Sequence, residues 1–154
     1  MNNILIIGAG RSSTALINYV LEQAKTYNWF VTVADADHEE AARKVAGHPN
    51  GRATWLDATK VNDRRELIQR ADVVVSNDSG PSHVAASVGT DVVAIFGPTR
   101  PEITSPRGSG SVVVLHKEIG CNKAPCYHLT CPRNECMRAI TVDDVFQAIQ
   151  KFKR

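Results

Sequence analysis

No run of apolar residues in this chain approaches the roughly 20 that a membrane span requires, so a transmembrane helix is excluded. A surplus of one charge is lacking too. Eighteen Lys+Arg against 16 Asp+Glu leave a formal charge of +2, too little to mark a nucleic-acid partner or a membrane surface. The start, Met1-Asn2-Asn3-Ile4-Leu5-Ile6-Ile7-Gly8, has no basic segment ahead of its apolar run. No signal peptide is therefore expected, and the expected setting is cytoplasmic. Cysteine is absent until Cys121, and six of the seven prolines fall after residue 75. Internal repeats and low-complexity tracts are also missing. What remains is 154 residues, 43% hydrophobic and 22% charged, which suits one domain with a real core.

The order of hydrophobic patterns is regular. Asn3–Ile7 is an apolar run closed by Gly8-Ala9-Gly10, as in a buried parallel strand, and a helix is predicted from Ser12 to Tyr27. Strands are predicted at Trp29–Ala34, Arg52–Leu56, Asp72–Ser76, Asp91–Phe96 and Ser111–His116. Helices are predicted at His38–Ala46, Asn62–Arg70 and Pro81–Val88, and over a last segment opened by Thr141-Val142-Asp143-Asp144. Residues 97–110 are rich in Pro and Gly without helical periodicity, so one crossover is expected to lack its helix. Alternation of this kind predicts an α/β fold: a doubly wound, Rossmann-like parallel sheet of six strands in the order 3-2-1-4-5-6, forming one domain over 1–154.

The turn after the first strand carries a dinucleotide-type pattern. Gly8 permits the tight turn, Gly10 lets backbone approach a pyrophosphate, and Ser13 occupies the third, packing position. Arg11 and Ser12 lie between them, at a helix start whose free N–H groups attract anions. Asp35 closes the second strand, where a carboxylate accepts ribose hydroxyls; Asp37 is its neighbour and competitor. Residues 1 to about 75 resemble the NAD(P)-binding domain of saccharopine dehydrogenase-like proteins through Ile4–Ser13, Val31–Asp35, Asn50–Ala53 and Ala71–Ser76. The resemblance implies NAD or NADP as cofactor, with Gly8, Gly10, Arg11 and Asp35 as contacts. No hydride-transfer site accompanies them.

A second anion-seeking turn, Asn77-Asp78-Ser79-Gly80-Pro81-Ser82-His83, follows the fourth strand. Amides around Ser79-Gly80 can form an anion nest at a helix start, and His83 lies one turn on. This segment, with Val92–Thr99 and the stretch from Ala124 to Met137, resembles the C-terminal domain of heptosyltransferases (glycosyltransferase family 9) over residues 77–154. That resemblance implies Ser79, Gly80 and His83 as contacts to a sugar nucleotide's diphosphate. The acceptor-binding domain of that family has no counterpart in this length, so transferase chemistry is not expected from the sequence.

Cys121, Cys126, Cys131 and Cys136 are spaced five apart, with Pro125 and Pro132 between them. Four thiols so close can meet at one tetrahedral zinc, with His128 as a substitute ligand. Reduced thiols packing as small apolar groups, or disulfides, are the alternatives, because the spacing departs from the Cys-x-x-Cys of common zinc ribbons. Taken together, two family resemblances meeting near residue 76 predict an engineered chimera without catalytic activity, binding a nucleotide or phosphate at the crevice between its two turns. An NAD(P)-linked oxidoreductase domain and a sugar-nucleotide-binding remnant of a glycosyltransferase are the alternatives.

Overall fold

The computed structural model describes residues 2–10, 13–57, 60–126 and 131–152, with the side chains of Val61 and Asp63 left aside. Thirteen elements follow one another in those residues. They are β1 (Asn2–Ile7), α1 (Thr14–Ala24), β2 (Trp29–Asp35), α2 (His38–Val45), β3 (Gly51–Trp55), α3 (Val61–Gln69), β4 (Val73–Asn77) and α4 (Gly80–Ser87), then β5 (Asp91–Ile95), α5 (Pro101–Thr104), β6 (Val112–Leu115), α6 (Glu135–Arg138) and α7 (Val142–Gln150). The strands form one sheet in the order β3-β2-β1-β4-β5-β6, every neighbouring pair parallel. This is the predicted topology.

Burial on both faces explains why the central strands are apolar without alternation. Ile4, Ile6, Val31, Val33, Val73 and Val75 point into a core shared with α1, α2 and α7. Leu5, Val74, Val92, Ala94 and Phe96 point the other way, against Ile68 of α3 and Ala85 and Ala86 of α4. An aromatic group anchors the first face. Trp29 is 1% exposed, and its ring lies 5.2 Å from that of Tyr27 and 5.4 Å from that of Phe146, which also meets Tyr19 edge-on at 5.3 Å. Such edge-to-face and tilted contacts add to the area buried.

Local chemistry sets the helix ends. Asp37 caps α2 by accepting from the amide of Glu40 at 3.0 Å, and Ala46 closes it in the left-handed region at φ 47°. Thr141 and Asp144 form the expected reciprocal capping box at the start of α7. Two short helices depart from the prediction. Pro101, at the first position of α5, starts a single turn inside the segment read as connection, and α6 is a single turn within the cysteine segment. Helix α1 is shorter than expected, and the Ser13 hydroxyl donates to the carbonyl of Gly10 at 2.8 Å instead of capping the helix. None of the described helices is long and apolar enough to cross a membrane.

Candidate functional site at the switch point

The sheet order reverses between β1 and β4, and the loops leaving these two strands diverge to opposite faces. A crevice opens there, outside the carboxyl ends of the strands, where ligands of doubly wound sheets bind. Its volume is about 620 Å³. The floor is made by Gly8, Gly10 and Ser13 on one side and by Ser76 and Asn77 on the other, while α6 and the start of α7 supply the opposite wall. The structure thus brings the first turn to the crevice. Gly8 adopts φ 108°, a conformation that only glycine enters without strain, as the tight turn requires.

The first turn is held from below by two side chains of opposite charge. Asp35 accepts the amide of Ala9 at 2.5 Å on one oxygen and the amide of Asp37 at 2.8 Å on the other. Lys44, from α2, donates to the carbonyls of Ala9 and Gly10, the latter at 2.6 Å, and lies 3.5 Å from Glu40. Its side chain is 7% exposed. Asp35 sits where it was predicted, at the end of β2, and each of its carboxylate oxygens accepts one backbone amide. Lys44 was not predicted, because nothing in its helix marks it as different from other exposed lysines. Asp37 is a helix cap. Arg11 and Ser12 lie outside the described residues, as does His128.

The second turn leaves β4 toward the other face. Ser79 is the N-cap of α4, yet its hydroxyl donates to the Asn77 carbonyl at 3.0 Å and lies 3.1 Å from that of Ser76, so no side chain caps the first turn of the helix. Gly80 and His83 are exposed at that end. Arg64 of α3 brings a guanidinium nitrogen to 3.7 Å from where a Cβ on Gly80 would stand, and its Nε is buried without a partner. Asp78 does not stand free beside these groups: its carboxylate accepts from the Thr99 hydroxyl at 2.7 Å. Ser79, Gly80 and His83 do not line the crevice itself; they flank it across the ends of β4.

The four cysteines all line a separate cavity of about 700 Å³, between residues 97–102 and the cysteine segment. No disulfide joins them. Among the described residues no three His, Cys, Asp or Glu side chains converge into a group that could hold a metal ion. Cys131 accepts the amide of Asn134 at 3.4 Å, and the amides of Asn134 and Arg133 hold its thiol below the usual cysteine range.

Sheet order and the crevice at the switch point define a doubly wound α/β domain of the Rossmann type. Within that class the chain belongs to glycosyltransferase family 9 (heptosyltransferase), whose family model matches residues 15–136. Lipooligosaccharide heptosyltransferase 2 of Campylobacter jejuni is 28% identical over 152 residues, covering 97% of this chain and 41% of that protein. Lipopolysaccharide heptosyltransferase 1 of Pseudomonas aeruginosa is 33% identical over 96 residues, covering 62% and 26%. The fold is shared with the E. coli heptosyltransferase WaaC solved with ADP, at a TM-score of 0.68 and 17% identity, covering 99% of this chain and 44% of that one. It is likewise shared with E. coli ADP-heptose heptosyltransferase II, at 0.67 and 22%, covering 98% and 46%. The chain spans about two fifths of the length of the curated relatives it matches.

These matches overturn two expectations. A single family model crosses the junction at residue 76, and the Campylobacter relative aligns with both halves, so the chain is not read as an inactive engineered chimera. The expectation of a protein that is not an enzyme falls with it, since the family and the relatives are named for heptosyl transfer. The misreading has a physical source. Every half of a doubly wound sheet uses the same strand–glycine turn–helix arrangement, and a carboxylate such as Asp35 can support that turn from beneath as readily as it can hold a ribose. Domain length, in turn, measures the size of the core and says nothing about catalysis.

Proposed function

We propose that this chain is the donor-binding domain of a family 9 glycosyltransferase and holds a nucleoside diphosphate sugar of the ADP-heptose kind in the switch-point crevice. The observation that carries the reading is the coincidence of the family match over 15–136 with a crevice whose floor is built from both strand ends, at Gly8, Gly10 and Ser13 and at Ser76-Asn77. The diphosphate would span the strand ends, between the Gly8–Ser13 turn and the uncapped start of α4 at Ser79-Gly80, with His83 and Arg64 at its far side. Free amides and the positive end of a helix favour that charge. In the transfer, the bond from the sugar's anomeric carbon to the diphosphate oxygen breaks with its electron pair left on the nucleotide, while an acceptor hydroxyl oxygen bonds to that carbon and gives up its proton to a base or to water. Stabilising the departing diphosphate is the contribution of this domain.

Calorimetric titration of the purified chain with ADP, ADP-heptose and NADH tests this reading. ADP and ADP-heptose should bind and compete with one another, with NADH weaker than either. Tighter binding of NADH, or no binding of ADP-heptose at millimolar concentration, would overturn it.

A further inference from the structure

The charge lining of the crevice is lopsided. Among the described residues that face it, Arg138 alone carries a charge; the others are apolar or neutral, and no carboxylate is present. Two serine hydroxyls there are already engaged, that of Ser13 by the Gly10 carbonyl and that of Ser76 by the carbonyl of Asn77 at 3.1 Å. Arg138 is different. Its guanidinium makes no hydrogen bond or ion pair with any described residue. The acids near it have other partners: Glu135 lies 3.7 Å from Arg133, and Asp144 receives Thr141 and Lys117.

The backbone beneath this free head group is fixed. Asn134, at φ 44°, turns the chain into α6, and the amides of Arg138 and Ala139 donate back to Asn134 and Glu135 at 3.1 and 2.8 Å. Met137 packs on Gly97 so closely that a Cβ there would meet its sulfur at 2.7 Å. A planar fork of N–H donors, without a partner among the described residues, on a fixed turn, above a floor with no carboxylate among those residues, suits a phosphate group.

We infer that Arg138 is the residue that pairs with the diphosphate of a nucleotide held in the crevice. The inference rests on the donor-site reading above and adds to it a cation from outside both turn motifs. Arg138 reaches the ligand from α6, on the wall opposite the glycine turn. The diphosphate is therefore gripped from both sides, by amides below and by a guanidinium above.

Titrations of the whole chain with ADP and with adenosine test this. Arg138→Ala should weaken ADP binding about ten- to a hundredfold, as loss of a charge-assisted pair does, and leave adenosine unchanged. Arg138→Lys should recover part of the loss. Arg133→Ala, which removes an exposed arginine that lines the cysteine cavity, should leave both affinities as they were. ADP binding indifferent to Arg138→Ala, or an equal loss for adenosine, overturns the inference while the donor site stands. Absence of ADP binding in the unaltered chain overturns both.

Discussion

Lys44 and Gly10 are separated by 34 residues, and the ammonium of the first donates to the carbonyl oxygen of the second at 2.6 Å. The same ammonium reaches the carbonyl of Ala9, whose amide is received by Asp35. Ala9 is thus held at both of its backbone polar groups. With its carbonyls drawn down to Lys44, the turn is preorganised before any ligand arrives. Lys44→Met should therefore cost about 1–3 kcal/mol of folding stability, because it leaves two loop carbonyls without their donor. Denaturant unfolding checks this. A double substitution with Asp35→Asn should fall short of the sum of the two single losses, since both residues hold the same turn.

Glycine separates folding from binding at two positions. A Cβ on Gly108 would lie 2.0 Å from the carbonyl oxygen of Ala86, at the end of α4. Gly108→Ala should cost about 2–4 kcal/mol, because backbone rather than a flexible side chain has to move. At Gly10 the space is open: nothing lies within 4 Å of where a Cβ would stand, and the backbone is outside the left-handed region. Gly10→Ala should fold with unchanged stability yet bind ADP more weakly, if backbone contact with phosphate is what that position provides. Thermal unfolding and calorimetry on the same two variants decide the matter.

The fold was legible because its signals are local. Asn3–Ile7 and Asp72–Ser76 carry apolar runs, Gly8 marks the turn, and Thr141 with Asp144 announces α7, so strand order followed from the alternation alone. The site was legible only in part. Gly8, Gly10 and Ser13 line the crevice, whereas Lys44, Arg64 and Arg138 are placed beside a turn or the crevice by the fold and not by any local pattern. A lysine in α2 reads the same whether it faces solvent or lies under a loop. The role of Asp35 was ambiguous for a similar reason: a carboxylate at a strand end accepts whichever donor is nearest, and here those are amides.

Acid should loosen α7 through Asp144. Its carboxyl is held below the usual range, first by the amide of Thr141, then by the Lys117 ammonium and the Thr141 hydroxyl. A group that is harder to protonate folded than unfolded contributes stability above its unfolded value, and that contribution disappears as pH falls through the folded one. Unfolding temperature followed from about pH 7 to about pH 3 should drop more steeply in the unaltered chain than in Asp144→Asn. Parallel curves would refute the assignment.

Among the thiols, Cys131 should react first. It is exposed, and two amides favour its thiolate. Limiting iodoacetamide followed by peptide mass spectrometry should place the first label there, with a rate that climbs at lower pH than for an ordinary thiol. A zinc ion held by Cys121, Cys126, Cys131 and Cys136 would instead shield all four together until a chelator is added. Elemental analysis of the same sample reads that outcome directly.

The aromatic floor at Tyr19, Tyr27 and Trp29 is completed by Phe146, a residue supplied more than a hundred positions later by α7. During synthesis the first three strands and their helices leave the ribosome with that floor uncovered, and they stay so while the other three strands are made. Until α7 arrives, the earliest part of the domain presents bare tryptophan and tyrosine to its surroundings. Closure of that floor by α7 therefore comes only after every strand of the sheet has been made.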